Sequence, residues 1–229
     1  MNNTKFTLLR HGQPQLSDCL LGRTNPPLTA LGWQQLRQSS IGLGFDRIIS
    51  SPLERCSAFA QQLAHESAVP ITICADWQEM DFGLWDGLPL KQLWAATDID
   101  YPKFWQNPFL SQPPQGESSI QLMQRVVKQI QLLSRQYQGQ HLLIVTHSGV
   151  IRIIMHWLLC HSNSIDKFSE AFLSSHSHSH QYCNAHLSNL MVSYAARLQI
   201  NTFIDDDKVL WPQLTGLHNY HADTQPKEA

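Results

Sequence analysis

The sequence predicts an α/β fold on a mostly parallel sheet, and two observations predict it. Strand and helix signals alternate along the 229 residues, and three apolar runs each end beside an arginine or histidine.

The first run, Phe6-Thr7-Leu8-Leu9, ends in Arg10-His11-Gly12. A buried strand of a parallel sheet delivers such residues to its carboxyl end, where open α/β sheets bind ligands. Arginine meets phosphate oxygens with a planar fork of donors, histidine serves as nucleophile or proton carrier near neutrality, and glycine admits a ligand to the backbone. The second run, Phe45 to Ser50, enters Ser51-Pro52-Leu53-Glu54-Arg55. Ser51 as N-cap, Pro52 at the first helical position and Glu54 at the capping-box position predict a helix whose first turn carries Arg55, beside amides that favour an anion. The third run, His141 to Val145, leads into Thr146-His147-Ser148-Gly149, after which Val150, Ile151, Ile153, Ile154, Trp157 and Leu158 follow at helical spacing. Taken singly, each arginine reads as a surface charge and each histidine as a packed side chain. If the three strands are neighbours, the groups meet at one switch point, and that set points to phosphoryl chemistry.

The remaining elements are scaffold. Thr29 caps a helix over Leu31 to Ile41, and Ser118 with Gln121 forms a capping box. Behind that box Leu122, Met123, Val126, Val127, Ile130 and Leu133 make one apolar face of a helix ending near Gly139. Residues 77 to 115 are rich in proline and hold eight aromatics, from Trp77 to Phe109; they read either as a lid or as an insertion whose aromatics pin it to the core. Leu187 to Tyr194 and Leu198 to Ile204 are expected to form a hairpin at a sheet edge, and residues 221–229 are expected to be disordered. In a strand, His176, His178 and His180 would share a face able to coordinate a metal; a flexible polar loop explains the same composition.

These residues resemble the histidine phosphatase, or phosphoglycerate mutase-like, superfamily. The likeness runs through Leu8-Leu9-Arg10-His11-Gly12, Pro27-Leu28-Thr29 with Gly32, Ser51 to Cys56, Glu79 to Gly87, Gly116-Glu117-Ser118 and Val145 to Arg152. Within the superfamily the chain looks most like the α-ribazole phosphatase branch. The resemblance implies a three-layer α/β/α sandwich with an antiparallel edge, in one domain spanning residues 1–229. It further implies a metal-independent, cofactor-free phosphomonoesterase in which His11 attacks phosphorus and Arg10, Arg55 and His147 hold the phosphoryl oxygens. Cations around His11 disfavour its protonation, which keeps the nucleophile neutral. Glu79 stands at the family's acid position, with Asp81 as the rival acid and a turn residue as its alternative reading. Gln13, Arg23 and Ser148 are candidate substrate contacts.

Two departures matter. Gln13 stands where many members carry Glu, and Met80-Asp81-Phe82-Gly83 replaces the mutases' Arg-His-Tyr-Gly, which favours a phosphatase. The implied substrate is α-ribazole 5'-phosphate; the alternatives are a broad-specificity phosphatase, a mutase, a phosphoprotein phosphatase or a non-catalytic binding module.

Composition sets bounds on partners. Sixteen basic against 18 acidic residues give a net charge of -2, which supplies no basic footprint for nucleic acid or an anionic membrane. A small phosphomonoester is the expected partner, with homodimer formation left open. No apolar run approaches spanning length and no signal-peptide core follows Met1, so a cytoplasmic protein is expected. Cys19, Cys56, Cys74, Cys160 and Cys183 form no Cys-x-x-Cys pair and read as reduced thiols.

Overall fold

The computed structural model describes residues 3–98, 100–160 and 189–220. Among them six strands form one sheet: β1 (Thr4–Arg10), β2 (Arg47–Ser50), β3 (Ile71–Ile73), β4 (His141–Thr146), β5 (Arg197–Ile204) and β6 (Leu210–His218). Their spatial order is β3-β2-β4-β1-β5-β6. The first four are parallel, β5 runs antiparallel to β1, and β6 antiparallel to β5.

Alternation along the strands builds two cores. Phe6, Leu8, Ile49, Leu142 and Ile144 pack on one face with α5 (Ser119–Gln136) and α6 (Ser148–Cys160). Leu9, Ile48, Leu143 and Val145 pack on the other with Leu36 of α1 (Ala30–Ser40) and with Cys56, Phe59, Ala60 and Ala64 of α2 (Glu54–Ser67). Both faces of the central strands are therefore covered, as the continuous apolar runs require.

Register decides what meets at the carboxyl ends. Arg10 lies opposite Thr146 and Ser50 opposite Val145. The ladder continues one step further: the His11 amide donates to Thr146 O at 2.9 Å and the Ser51 amide to Val145 O at 3.0 Å. His11, His147 and Ser51 thus leave three adjacent strands side by side.

Two caps stand where the sequence places them. Thr29 Oγ1 accepts from the Gly32 amide, and Ser118 and Gln121 form a reciprocal capping box at α5. The predicted cap of α2 is different. The helix begins at Glu54 with Leu53 as N-cap, not with Ser51 as N-cap and Pro52 inside it. Tertiary contacts share the work with the local motif: Ser51 Oγ accepts from the Leu53 amide at 3.3 Å but also sits 2.8 Å from His147 Nε2, and the Glu54 amide donates to Asn25 Oδ1 at 2.7 Å.

The edge hairpin also differs from expectation. It pairs β5 with β6, and residues 189–194 contain no strand. The backbone there turns back on itself to contact Arg10 and His11, a use that alternation of side chains does not announce.

The aromatic insertion contains α3 (Leu90–Ala95) and α4 (Tyr101–Gln106). Trp77, Phe82, Trp85, Tyr101, Phe104 and Phe109 are buried, and Trp85 makes edge-to-face contacts with Tyr101 at 5.5 Å and Phe104 at 5.8 Å. Most of these rings therefore pin the segment to the core. Cys19, Cys56 and Cys74 are free thiols. The His176, His178 and His180 run, Cys183 and the tail 221–229 lie outside the described residues. Among the described residues no helix is long and apolar enough to cross a membrane.

Replacing Ser118 by Ala removes one member of the capping box and is expected to lower stability by about 1 kcal/mol. Urea unfolding checks this; an unchanged midpoint would show the α5 cap to be idle.

Candidate active site

A cavity of about 400 Å³ opens at the carboxyl ends of β1 and β4. Arg10, His11, Glu79, Ser148, Gly149, Arg152 and Tyr194 form its polar end, and Phe82, Trp94, Tyr101 and Trp105 supply an aromatic wall.

His11 is only 5% exposed. Its Nδ1 lies 2.7 Å from Gly12 O. A carbonyl only accepts, so Nδ1 carries the proton and Nε2 keeps its lone pair. Burial, reinforced by the guanidiniums of Arg10 and Arg55, holds the imidazole well below its usual range, against a smaller opposing pull from Gly12 O. Gly12 itself makes room for α1: a Cβ there would collide with Gly32 O, so its role in the structure is packing.

His147 is fully buried behind His11, with ring centroids 5.2 Å apart. Burial first, then Arg55, His11 and Arg10, depresses its pKa as well. The Cys56 thiol, 3.5 Å from His147 Nε2, is pushed up to about 12 by burial and so stays protonated.

Arg55 has no solvent exposure. Its Nη1 donates to Thr24 O at 2.8 Å, and Nη2 to Gly22 O at 2.9 Å and Leu21 O at 3.2 Å. That loop is itself clamped by Asp86, whose carboxylate accepts from the amides of Gly22, Arg23 and Thr24, each at 2.8 Å. Arg10 donates through Nη1 to Val192 O at 2.7 Å, and burial draws its pKa down to about 10, which leaves it charged at neutrality. Among the described residues, the buried Nε donors of Arg10 and Arg55 meet no hydrogen-bond partner.

Glu79, 5% exposed, lies across the cavity floor. Its carboxylate accepts from the Met80 and Gly149 amides, each at 3.0 Å, and from Ser148 Oγ at 3.4 Å. A Cβ at Gly149 would overlap Glu79 Oε1, so glycine lets the carboxylate keep this position against the start of α6. From behind, Arg125 donates to the carbonyls of Asp76, Gln78 and Glu79 and forms a two-point ion pair with Glu117 at 2.7 and 2.9 Å.

Arg55 and His147, both fully buried, do not line the cavity wall themselves, and the remaining candidates are engaged elsewhere. Asp81 is a turn residue: its Oδ1 accepts from the Gly83 amide at 2.9 Å, it pairs with Arg23 at 3.6 Å, and neither residue lines the cavity. Gln13 also lies off the cavity, where its amide donates to Gln35 and its carbonyl accepts from the Thr29 amide. Tyr194, Arg152, Ser51, Asp86 and Arg125 are site or supporting residues that site reasoning from sequence missed. The last four lie in or near the motifs already noted; Tyr194 had no local signal. Among the described residues no group of three His, Cys, Asp or Glu side chains is placed to hold a metal ion.

The family model of the histidine phosphatase superfamily (branch 1) matches residues 6–190. The chain belongs to this superfamily. A bifunctional protein of Mycobacterium tuberculosis is 32% identical over 66% of the chain, a stretch that spans only 43% of that relative. The adenosylcobalamin/alpha-ribazole phosphatases of Salmonella typhimurium and Escherichia coli are 31% and 29% identical, over 68% and 66% of this chain and 79% and 77% of theirs. Among solved structures, mycobacterial glucosyl-3-phosphoglycerate phosphatase superposes with a TM-score of 0.75 at 20% identity, over 95% of this chain and 99% of that one. A putative alpha-ribazole-5'-P phosphatase from E. coli does so at 0.71 and 23%, over 94% and 96%. These two likenesses establish the histidine phosphatase fold.

The depressed histidines make stability depend on pH. Below pH about 6.5 the unfolded chain takes up protons that folded His11 and His147 refuse, so stability is intact above that value and falls below it. Each histidine contributes up to about 1.4 kcal/mol per pH unit. Urea midpoints at pH 7.5, 6.5 and 5.5 are expected to fall more steeply for the native chain than for His11→Asn, by about one proton; equal slopes would contradict a neutral His11.

Proposed function

We propose that this superfamily member is a phosphomonoesterase working through a phosphohistidine. The observation that carries the reading is the pair of buried Nε donors on Arg10 and Arg55, which meet no acceptor among the described residues and whose charges act on a neutral, buried His11. A buried donor left unpaired costs about 1–3 kcal/mol, and phosphoryl oxygens are the acceptors that guanidinium forks fit.

In this reading His11 Nε2 attacks phosphorus as the bond to the leaving oxygen breaks, while Arg10, Arg55 and His147 stabilise the charge spread over the phosphoryl oxygens. Glu79, held against the cavity by two amides, gives the leaving oxygen its proton. Water then attacks the phosphohistidine, Glu79 takes a proton from it, and inorganic phosphate leaves with His11 neutral again. Asp81 is committed to its turn and to Arg23, which supports Glu79 as the acid.

The substrate supported best is α-ribazole 5'-phosphate, as in assembly of the cobalamin nucleotide loop. Two relatives near 30% identity bear that activity in their names, and the wall of Phe82, Trp94, Tyr101 and Trp105 suits a flat, largely apolar ring. Arg152 favours a second reading. It adds a cation to the cavity wall, which suits a second anionic group such as that of a phosphoglycerate ester, and phosphoglycerate mutases also match at 26–28% identity.

Mixed with substrate and quenched, the enzyme is expected to carry phosphate on His11 in an acid-labile, alkali-stable linkage; His11→Ala keeping a tenth of the activity would defeat the mechanism. Arg55→Ala and His147→Ala are each expected to lose about 100-fold in kcat.

Glu79→Gln is expected to slow alkyl phosphates more than nitrophenyl phosphate, whose leaving group needs little protonation, with Asp81→Asn milder on both. The reverse ranking on an alkyl ester would move the acid to Asp81.

Values of kcat/KM across α-ribazole 5'-phosphate, 3-phosphoglycerate, glucosyl-3-phosphoglycerate, sugar phosphates and a phosphopeptide decide the substrate. At least about tenfold preference for α-ribazole 5'-phosphate, roughly 1.4 kcal/mol, is expected. Better use of the phosphoglycerates would transfer the assignment to the Arg152 reading.

A further inference from the structure

Residues 192–196 wrap the end of β1 at four points. Val192 O accepts from Arg10 Nη1 at 2.7 Å, and the Tyr194 ring lies over the Arg10 guanidinium, 4.1 Å from its carbon to the ring centroid. The Ala195 amide donates to His11 O at 3.2 Å, and Ala196 O accepts from the Arg10 amide at 2.9 Å. The strap is itself anchored. The Ser193 amide donates to Asn219 Oδ1, the Tyr220 amide donates to Ser193 Oγ, and the Tyr220 hydroxyl meets Gln38 of α1. Tyr194 also lines the cavity, with its ring 5.9 Å from that of His11.

A guanidinium donates hydrogen bonds only in its own plane, and its faces are the sides an aromatic ring can cover. With Nη1 held by Val192 O and one face covered by Tyr194, the rotation that would swing the remaining donors away from His11 is blocked. We infer that Tyr194 is a positioning residue for phosphate recognition: through its ring, not its hydroxyl, it orients the Arg10 fork toward the phosphoryl group, whatever alcohol that group is attached to. The inference rests on the phosphatase reading above and adds a residue whose effect does not depend on the leaving group.

Inhibition by inorganic phosphate, which has no leaving group, tests it. Tyr194→Leu is expected to raise the phosphate Ki about tenfold, and Tyr194→Phe, which keeps the ring, to stay within about threefold of the native chain. In an Arg10→Gln background, Tyr194→Leu is expected to add less than about twofold, because a residue acting through Arg10 has nothing left to orient. Repeating the cycle with Tyr194→Met keeps the result independent of whether the leucine variant folds. An unchanged Ki in the leucine and methionine variants overturns the inference. So does an equal loss in both backgrounds, which would make Tyr194 a direct phosphate contact. If the native chain hydrolyses phosphomonoesters while either of these holds, only the role of Tyr194 fails; if it neither binds phosphate nor hydrolyses any ester, the phosphatase reading falls with it.

Discussion

A guanidinium without solvent must find its acceptors inside the protein, and Arg55 imposes that requirement on everything around it. Three carbonyls of residues 21–24 meet it, and those carbonyls hold still because the Asp86 carboxylate binds the amides of the same loop. The chain segment carrying Asp86 belongs to the aromatic insertion, whose buried rings fix it to the core. Packing of tryptophans thus reaches the site through a carboxylate, a loop and a cation. Removing any link would leave a buried charge without partners, the costliest kind of defect in a folded interior.

The same cation organises the chemistry opposite it. Burial, reinforced by the charges of Arg55 and Arg10, makes imidazolium unfavourable here, which favours the neutral form of both histidines, the form whose nitrogen lone pair is useful. Glu79 faces this cluster from a different element, held by the Gly149 amide and Ser148 hydroxyl of α6 and by the Arg125–Glu117 pair behind its backbone. Base, cations and carboxylate therefore stand on separate supports. Each is held in place by contacts within the protein, as the proposed electrostatic preorganisation requires.

Much of this is legible in the amino-acid sequence. Arg10, His11 and His147 follow apolar runs, and a buried strand in an α/β sheet has one functional end. Capping at Thr29 and Ser118 is local chemistry that the chain carries wherever it goes, and both caps form. Ser51 shows the limit of such reasoning: its hydroxyl accepts from the Leu53 amide at 3.3 Å as local chemistry suggests, but its contact with His147 comes only from the neighbouring strand. Asp81 and Glu79, two residues apart with equal chemistry, separate because one amide pattern closes a turn and another faces the cavity.

By itself, the sequence determined strands β1, β2, β4 and β5 and the helices α1, α2, α5 and α6, the residues at three strand ends and the family they belong to, because periodicity, capping and motif spacing are properties of neighbours in the chain. The tertiary structure alone decided that β4 lies between β2 and β1, that Asn25 caps α2, that Arg152 joins the cavity and that Tyr194 covers Arg10. These contacts join residues far apart in the chain, Tyr194 and Arg10 being separated by about four fifths of its 229 residues. No local pattern encodes them; they arise when sheet register and the folding back of residues 189–196 bring distant side chains within a few ångströms.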